Sequence, residues 1–195
     1  QPLGRTIDAA NPMVDARLRD GSRLNAIIPP LALKGPVLTI RKFAKDLENV
    51  EALLLKGTLT NDMALFLEAI VKAKLNVLIS GGTGSGKTEF IKYLASHTKE
   101  NEKLITIEDT LELHLDRIFP HRDIVAMKTN NIASYSDVLV TCMRQNPKWI
   151  LLSEVRSAEA VTAVRNSISS GHNILSTIHA DKAQNIPHRL YSLLE

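Results

Sequence analysis

The chain has 195 residues, 24 Lys plus Arg against 21 Asp plus Glu, and is 44% hydrophobic and 23% charged. That balance describes a soluble globular chain of one domain with part of a second, and excludes a disordered or strongly basic protein. The three-charge surplus and 4% aromatic content also leave little for a nucleic-acid surface, no apolar run reaches the about 20 residues of a membrane helix, no signal-peptide pattern opens the chain, and the lone Cys142 allows no intramolecular disulfide.

Met13–Arg19 and Arg23–Ile28 are short β-type runs joined by Asp20-Gly21-Ser22, a hairpin signal. Pro29-Pro30 ends the second run, and Gly35-Pro36 leads into a third, Val37–Arg41. The abrupt start of this β-rich piece suggests that the chain begins inside a larger amino-terminal domain. Asp46 can cap a helix over Leu47–Leu55, stopped by Gly57. Thr60 or Asn61 can cap a second, Asp62–Lys74, with Met63, Phe66, Leu67, Ile70 and Val71 on one face. Residues 1–57 are therefore expected to be the end of an α+β domain with its linker, and residues 58–195 a second domain.

From Leu75 the pattern becomes apolar strand, turn, helix. Strands are expected at Leu75–Ser80, Lys103–Glu108, Ile124–Lys128, Trp149–Ser153 and Asn173–Ile178. Helices are expected at Lys87–His97, Ser136–Asn146 and Ser157–Ser169, the second carrying Cys142 as a packed residue. Continuous apolar strands alternating with amphipathic helices predict an α/β fold with a mainly parallel sheet covered on both faces.

The first of these strands runs into Gly81-Gly82-Thr83-Gly84-Ser85-Gly86-Lys87-Thr88, a match to G-x-x-x-x-G-K-[ST] between a strand and a helix. The glycines let successive N–H groups point at phosphate oxygens, and the next helix adds its N-terminal partial charge. Lys87 is expected on the β- and γ-phosphates and the Thr88 hydroxyl on Mg2+. A chance match in a chain of this length has odds on the order of one in a hundred, and the strand–helix context makes an ordinary Gly-rich turn improbable.

Ligands of open α/β sheets sit beyond the carboxyl ends of the strands. There the sequence offers Glu108-Asp109 with Glu112, then Glu154 after Ser153, then His179, with His172 just ahead of its strand. Glu154 resembles a Walker B acid, able to hold Mg2+ through water or to orient the attacking water. It could instead pair with Arg156 or Arg165, and each histidine taken singly is more often structural.

GGTGSGKT, ITIEDTLEL (residues 105–113), WILLSEVR (149–156) and SGHNILSTIHA (170–180) resemble, in order, the Walker A, aspartate, Walker B and histidine boxes of the type II and type IV secretion and pilus ATPases. DGSRLNAIIPP with LTIRKF resembles the conjugation and tight-adherence (Flp) pilus branch. The resemblance implies a RecA-like P-loop NTPase domain preceded by a smaller one, using ATP/ADP and Mg2+ at their junction. It implies a homo-oligomer, a hexameric ring, peripheral at the cytoplasmic face of the membrane, on inner-membrane secretion or pilus platform proteins. By it, Glu112 activates water, Glu154 is the Walker B glutamate, and His172 and His179 are the histidine-box pair. Arg23 and Arg41 match amino-terminal arginines that swing onto the phosphates. Ser153 departs from the family's usual Gly, Ser157 stands where some members carry Asp, and MRQNPKW replaces a commoner arginine-proline-acid pattern. The chain also ends earlier than the family usually does, so a fragment is expected.

The leading expectation is Mg-dependent ATP hydrolysis that powers secretion, conjugation or pilus assembly, without direct nucleic-acid binding. A RecA-like nucleic-acid motor and a nucleotide-dependent assembly module without turnover are the alternatives.

Overall fold

The computed structural model describes residues 6–42, 50–129 and 133–195. The chain divides into two compact units, residues 1–45 and 46–195. This boundary precedes Gly57, because Leu53 and Leu59 are buried in the core of the second unit. The proposed Asp46 cap lies outside the described residues.

In the first unit, β1 (Met13–Arg17), β2 (Arg23–Ile27) and β3 (Val37–Arg41) form an antiparallel meander. The Asp-Gly-Ser signal makes the expected hairpin. Gly21 takes φ 94°, a conformation that costs a Cβ-bearing residue. The Asp20 carboxylate accepts from both the N–H and the hydroxyl of Ser22, each at 2.9 Å.

The second unit opens with α1 (Val50–Leu55) and α2 (Asn61–Lys72). Thr60, rather than Asn61, is the α2 cap, its hydroxyl accepting from the N–H of Met63 at 3.2 Å. Of the predicted apolar face, Val71 is buried and Leu67 and Ile70 are partly so, whereas Met63 and Phe66 are exposed. Then follow β4 (Val77–Ser80), α3 (Lys87–Ser96), β5 (Leu104–Glu108), α4 (Leu115–Ile118), β6 (Ile124–Lys128), α5 (Tyr135–Met143), β7 (Trp149–Val155), α6 (Ala158–Ser169), β8 (Asn173–Ile178) and α7 (Ile186–Ser192). The five strands lie in the order β4-β8-β7-β5-β6, every neighbouring pair parallel.

Strand alternation divides the core between the two sheet faces. Leu104, Trp149, Leu151 and Leu175 pack with Ile91 and Leu94 of α3 and Val71 of α2. Ile105, Ile107, Ile150, Leu152 and Ile174 pack with Val138, Leu139 and Cys142 of α5 and Ala160 and Ala163 of α6. Cys142 is fully buried, and burial pushes its thiol up to about 12, so it packs as a small apolar residue. On the first face, the Trp149 indole N–H donates to Glu102 at 2.8 Å, and Lys74 pairs with the same carboxylate at 2.7 Å.

Hydroxyl caps set the starts of α2, α5 and α6. α5 begins earlier than expected, because Ser134 and Asp137 form a reciprocal capping box. Ser157 caps α6 by accepting from the N–H of Ala160 at 3.2 Å. An Asp could fill the same role, so this departure from the family pattern keeps the helix start. The sequence pattern did not reveal the short α4, the 3₁₀ turn Ala183–Asn185 or α7. Among the described residues no helix is long and apolar enough to cross a membrane.

Candidate nucleotide site

The strand order brings the carboxyl ends of β4, β8, β7 and β5 side by side. Along that edge stand the Gly81–Thr88 loop, then His179, Glu154 and Asp109. Gly84 and Gly86 both take left-handed φ, 75° and 88°, which is why the loop needs glycine there. Gly86 is the N-cap of α3, and Lys87 and Thr88 open that helix. The Lys87 ammonium folds back over the loop and donates to the carbonyls of Gly81 and Gly82, each at 2.8 Å. Ser85 Oγ donates to the Gly82 carbonyl at 2.9 Å. A Cβ at Gly81 would stand 2.5 Å from Ser85 Oγ, so a side chain there would push that hydroxyl off the Gly82 carbonyl. Residues 82–86 of the loop, Gly82 and Thr83 among them, are exposed.

Glu154 is not beyond the end of its strand, as expected, but within it. β7 runs on to the buried Val155, and its register with β8 shifts between Leu152 and Val155. Ser153 and Glu154 therefore oppose the single residue Thr177, a bulge of the kind that re-aims a side chain at the rim of a sheet. Two hydroxyls of β8 pin it: Ser176 Oγ donates to the Leu152 carbonyl at 2.9 Å, and Thr177 Oγ1 to the Ser153 carbonyl at 2.6 Å. The re-aimed Glu154 carboxylate stands 3.4 Å from His179 Nε2. Arg156, a candidate partner for Glu154, instead forms an ion pair with Asp109 across the ends of β7 and β5.

The two histidines part company. His179 follows β8 directly on the loop's edge, whereas His172 precedes it, so six strand residues, about 20 Å, separate them. His172 lies at the opposite edge of the sheet from the Gly81–Thr88 loop. Its backbone N–H closes the C-terminus of α6 on Ser167, at 3.1 Å. Its Nδ1 is buried and has no hydrogen-bond partner among the described residues. The expectation that both imidazoles serve one edge fails because the strand between them is fully extended.

Glu108 also differs from its expected place at the nucleotide. It is fully buried, and its carboxylate accepts from the N–H groups of Glu112 at 2.6 Å and Leu113 at 3.0 Å, and from Thr106 Oγ1 at 3.1 Å. Burial pushes its pKa up, against the pull of those donors. Glu112 is half-buried on the segment between β5 and α4. Arg23 and Arg41 belong to the first unit, where they are directly opposed in the β2–β3 register, with Arg17 opposite Arg23 on the other side.

Residues that the sequence reading passed over complete the surroundings. A cleft of ≈ 560 Å³ adjoins His179, lined also by Asp181, Asn185, His188, Arg189 and Ser192. Asp181 precedes the 3₁₀ turn and the others come from that turn and α7, elements without a strong periodic signal, so only their spacing after His179 could have pointed to them.

The chain resembles known proteins along its whole length. It is 38% identical over 184 residues to an uncharacterised protein of Methanocaldococcus jannaschii, covering 88% of this chain and 25% of that protein. It is 31% identical over 218 residues to the type IV secretion system protein VirB11 of Bartonella quintana, covering 91% of this chain and 60% of that protein. Among solved structures it matches the VirB11 ATPase of the Brucella suis type IV secretion system, crystallised with sulphate, at a TM-score of 0.62 and 26% identity, over 97% of this chain and 62% of that one. The chain thus spans between 25% and 60% of the length of these curated relatives. Residues 5–194 match the family described as type II/IV secretion system protein, and the chain belongs to that family.

Proposed function

We propose that this chain is the nucleotide-hydrolysing part of a motor for secretion, conjugation or pilus assembly. The observation that carries the reading is the alignment of a Gly-rich phosphate loop, His179, Glu154 and Asp109 along one edge of a parallel sheet. The loop suits an anion: it has glycines at left-handed φ, a helix start behind it, and a lysine folded over its own carbonyls. Lys87 would take the β- and γ-phosphates of ATP. Thr88 and Glu154 supply hard oxygen donors of the kind Mg2+ accepts beside water and phosphate, and the ion, when bound, neutralises phosphate charge.

Glu154 or Glu112 then takes the proton of the attacking water, and His179 orients the Glu154 carboxylate from 3.4 Å. Arg23 and Arg41 supply guanidinium charge to the γ-phosphate in the assembled protein. Assembly as a hexameric ring at the cytoplasmic face of the membrane, on platform proteins of the inner membrane, belongs to the same reading. So does a place in the conjugation and tight-adherence branch, which the DGSRLNAIIPP segment supports.

The test is ATP hydrolysis and ATP binding by the whole protein and its Glu154→Gln variant. Turnover should fall at least about a hundredfold while binding survives. Unchanged turnover in Glu154→Gln would remove Glu154 from the chemical step, and absence of turnover in the unaltered protein would count against the motor.

A further inference from the structure

Between β5 and α4 the chain crosses the edge of the sheet in six residues, 109–114, and Glu112 rides on this crossing. The segment is held at both ends. At its start, the Glu108 carbonyl accepts from the N–H of Thr129 at 2.8 Å, tying it to the end of β6, and Asp109 Oδ1 accepts from the N–H of Thr110 at 2.8 Å. At its far end Leu113 is fully buried and His114 is buried in the left-handed region at φ 48°. In between, the Glu108 side chain reaches forward and takes two consecutive backbone N–H groups, those of Glu112 and Leu113.

From this geometry we infer that Glu108 is a positioning residue: its buried carboxylate clamps the backbone beneath Glu112 and so fixes where the Glu112 side chain is presented to the nucleotide. This rests on the reading of Glu112 as a water-activating group. It differs from a role for Glu108 at the phosphates, because a fully buried carboxylate already bonded to three donors has no face left for a ligand.

The clamp works through one oxygen, in a manner independent of charge. Oε2 accepts from both backbone N–H groups, while Oε1 faces the Thr106 hydroxyl. If the carboxyl takes up a proton, the proton belongs on Oε1, which then donates to Thr106 Oγ1. Oε2 remains an acceptor in either state. A glutamine reproduces that arrangement, with its amide oxygen on the two N–H groups and its NH₂ toward Thr106. An aspartate withdraws the acceptor by one methylene, and an alanine takes it away from both N–H groups, that of Leu113 being buried.

The experiment is amide hydrogen exchange of residues 109–113 in this chain, with steady-state ATP turnover of the whole protein, for Glu108→Ala and Glu108→Gln. In Glu108→Ala the amides of Glu112 and Leu113 should exchange at least about tenfold faster. Its kcat should fall about tenfold to a hundredfold with KM for ATP little changed. Glu108→Gln should rescue both protection and kcat. A glutamine variant as slow as the alanine variant would overturn the clamp, since it would show that the charge itself acts. Unchanged exchange in Glu108→Ala would overturn it too. Glu112→Gln, measured alongside, separates the two ideas: full turnover there means that the reading of Glu112 has failed, whatever the clamp does.

Discussion

Replacing Thr177 with valine keeps the shape of a residue only 2% exposed and removes the hydroxyl that donates to the Ser153 carbonyl at 2.6 Å. That bond holds the bulge which turns Glu154 toward His179. A buried hydrogen bond lost with its acceptor left behind costs about 1–2 kcal/mol. With a urea m-value of about 2–3 kcal/mol/M for a unit of this size, the midpoint should fall by about 0.3–1 M at unchanged m. Thr177→Ser is the matched control: it loses a methyl group but keeps the donor. Its turnover should stay close to that of the unaltered protein, whereas Thr177→Val, with the bulge free to relax, should lose about tenfold or more. The two variants therefore separate packing from positioning. A valine variant that unfolds within about 0.1 M of the parent and hydrolyses ATP at its rate would refute the assignment of the bulge to this hydroxyl.

Two further effects concern stability. Trp149→Phe deprives Glu102 of its indole donor and leaves a void beside the fully buried ring position, so unfolding free energy should fall by about 2–4 kcal/mol, read from the denaturant midpoint; an unchanged midpoint would refute the bond. His97 packs edge-on against Tyr93 at 4.7 Å between centroids, and burial holds its imidazole below the usual range. The unfolded chain then binds the extra proton first, so this group's contribution is intact above the ordinary imidazole pKa, about 6.5, and is lost as pH falls through the depressed one. Thermal melts at pH 7.5 and 5.5 should show a larger loss for the parent than for His97→Gln, and equal losses would refute the assignment.

The parallel sheet was legible because its strands are continuous apolar runs, and the loop at residues 81–88 between a strand and a helix because its run of glycines interrupts both patterns. The separation of His172 from His179 was within reach too, since an extended strand of six residues cannot bring its two flanks together, and grouping both at one edge overlooked it. Three features were not. The bulge at Glu154 is specified by hydroxyls on a neighbouring strand, Ser176 and Thr177, which carry no signal at residue 154 itself. Glu108 reads like any strand-end acid until its neighbours' N–H groups are seen to turn back toward it. Met63 and Phe66 share the helical period of Val71, but periodicity names a face without saying how far along the helix it is covered. The start of α5 was readable from Ser134 and Asp137, whose three-residue spacing is that of a capping box.

On the proposed reading of the loop, the posture of Lys87 would make phosphate binding an exchange rather than an addition. Two of the three ammonium hydrogens are committed to the carbonyls of Gly81 and Gly82, so one incoming oxygen can be met by the third, and a second must displace a carbonyl. The two carbonyls are not equally easy to give up. Gly82 keeps the hydroxyl of Ser85 when the lysine leaves, while the Gly81 carbonyl must find another donor. The side chain at position 85 would thus ease one half of the displacement, so on this reading affinity for an anion would depend on that serine as well as on the lysine.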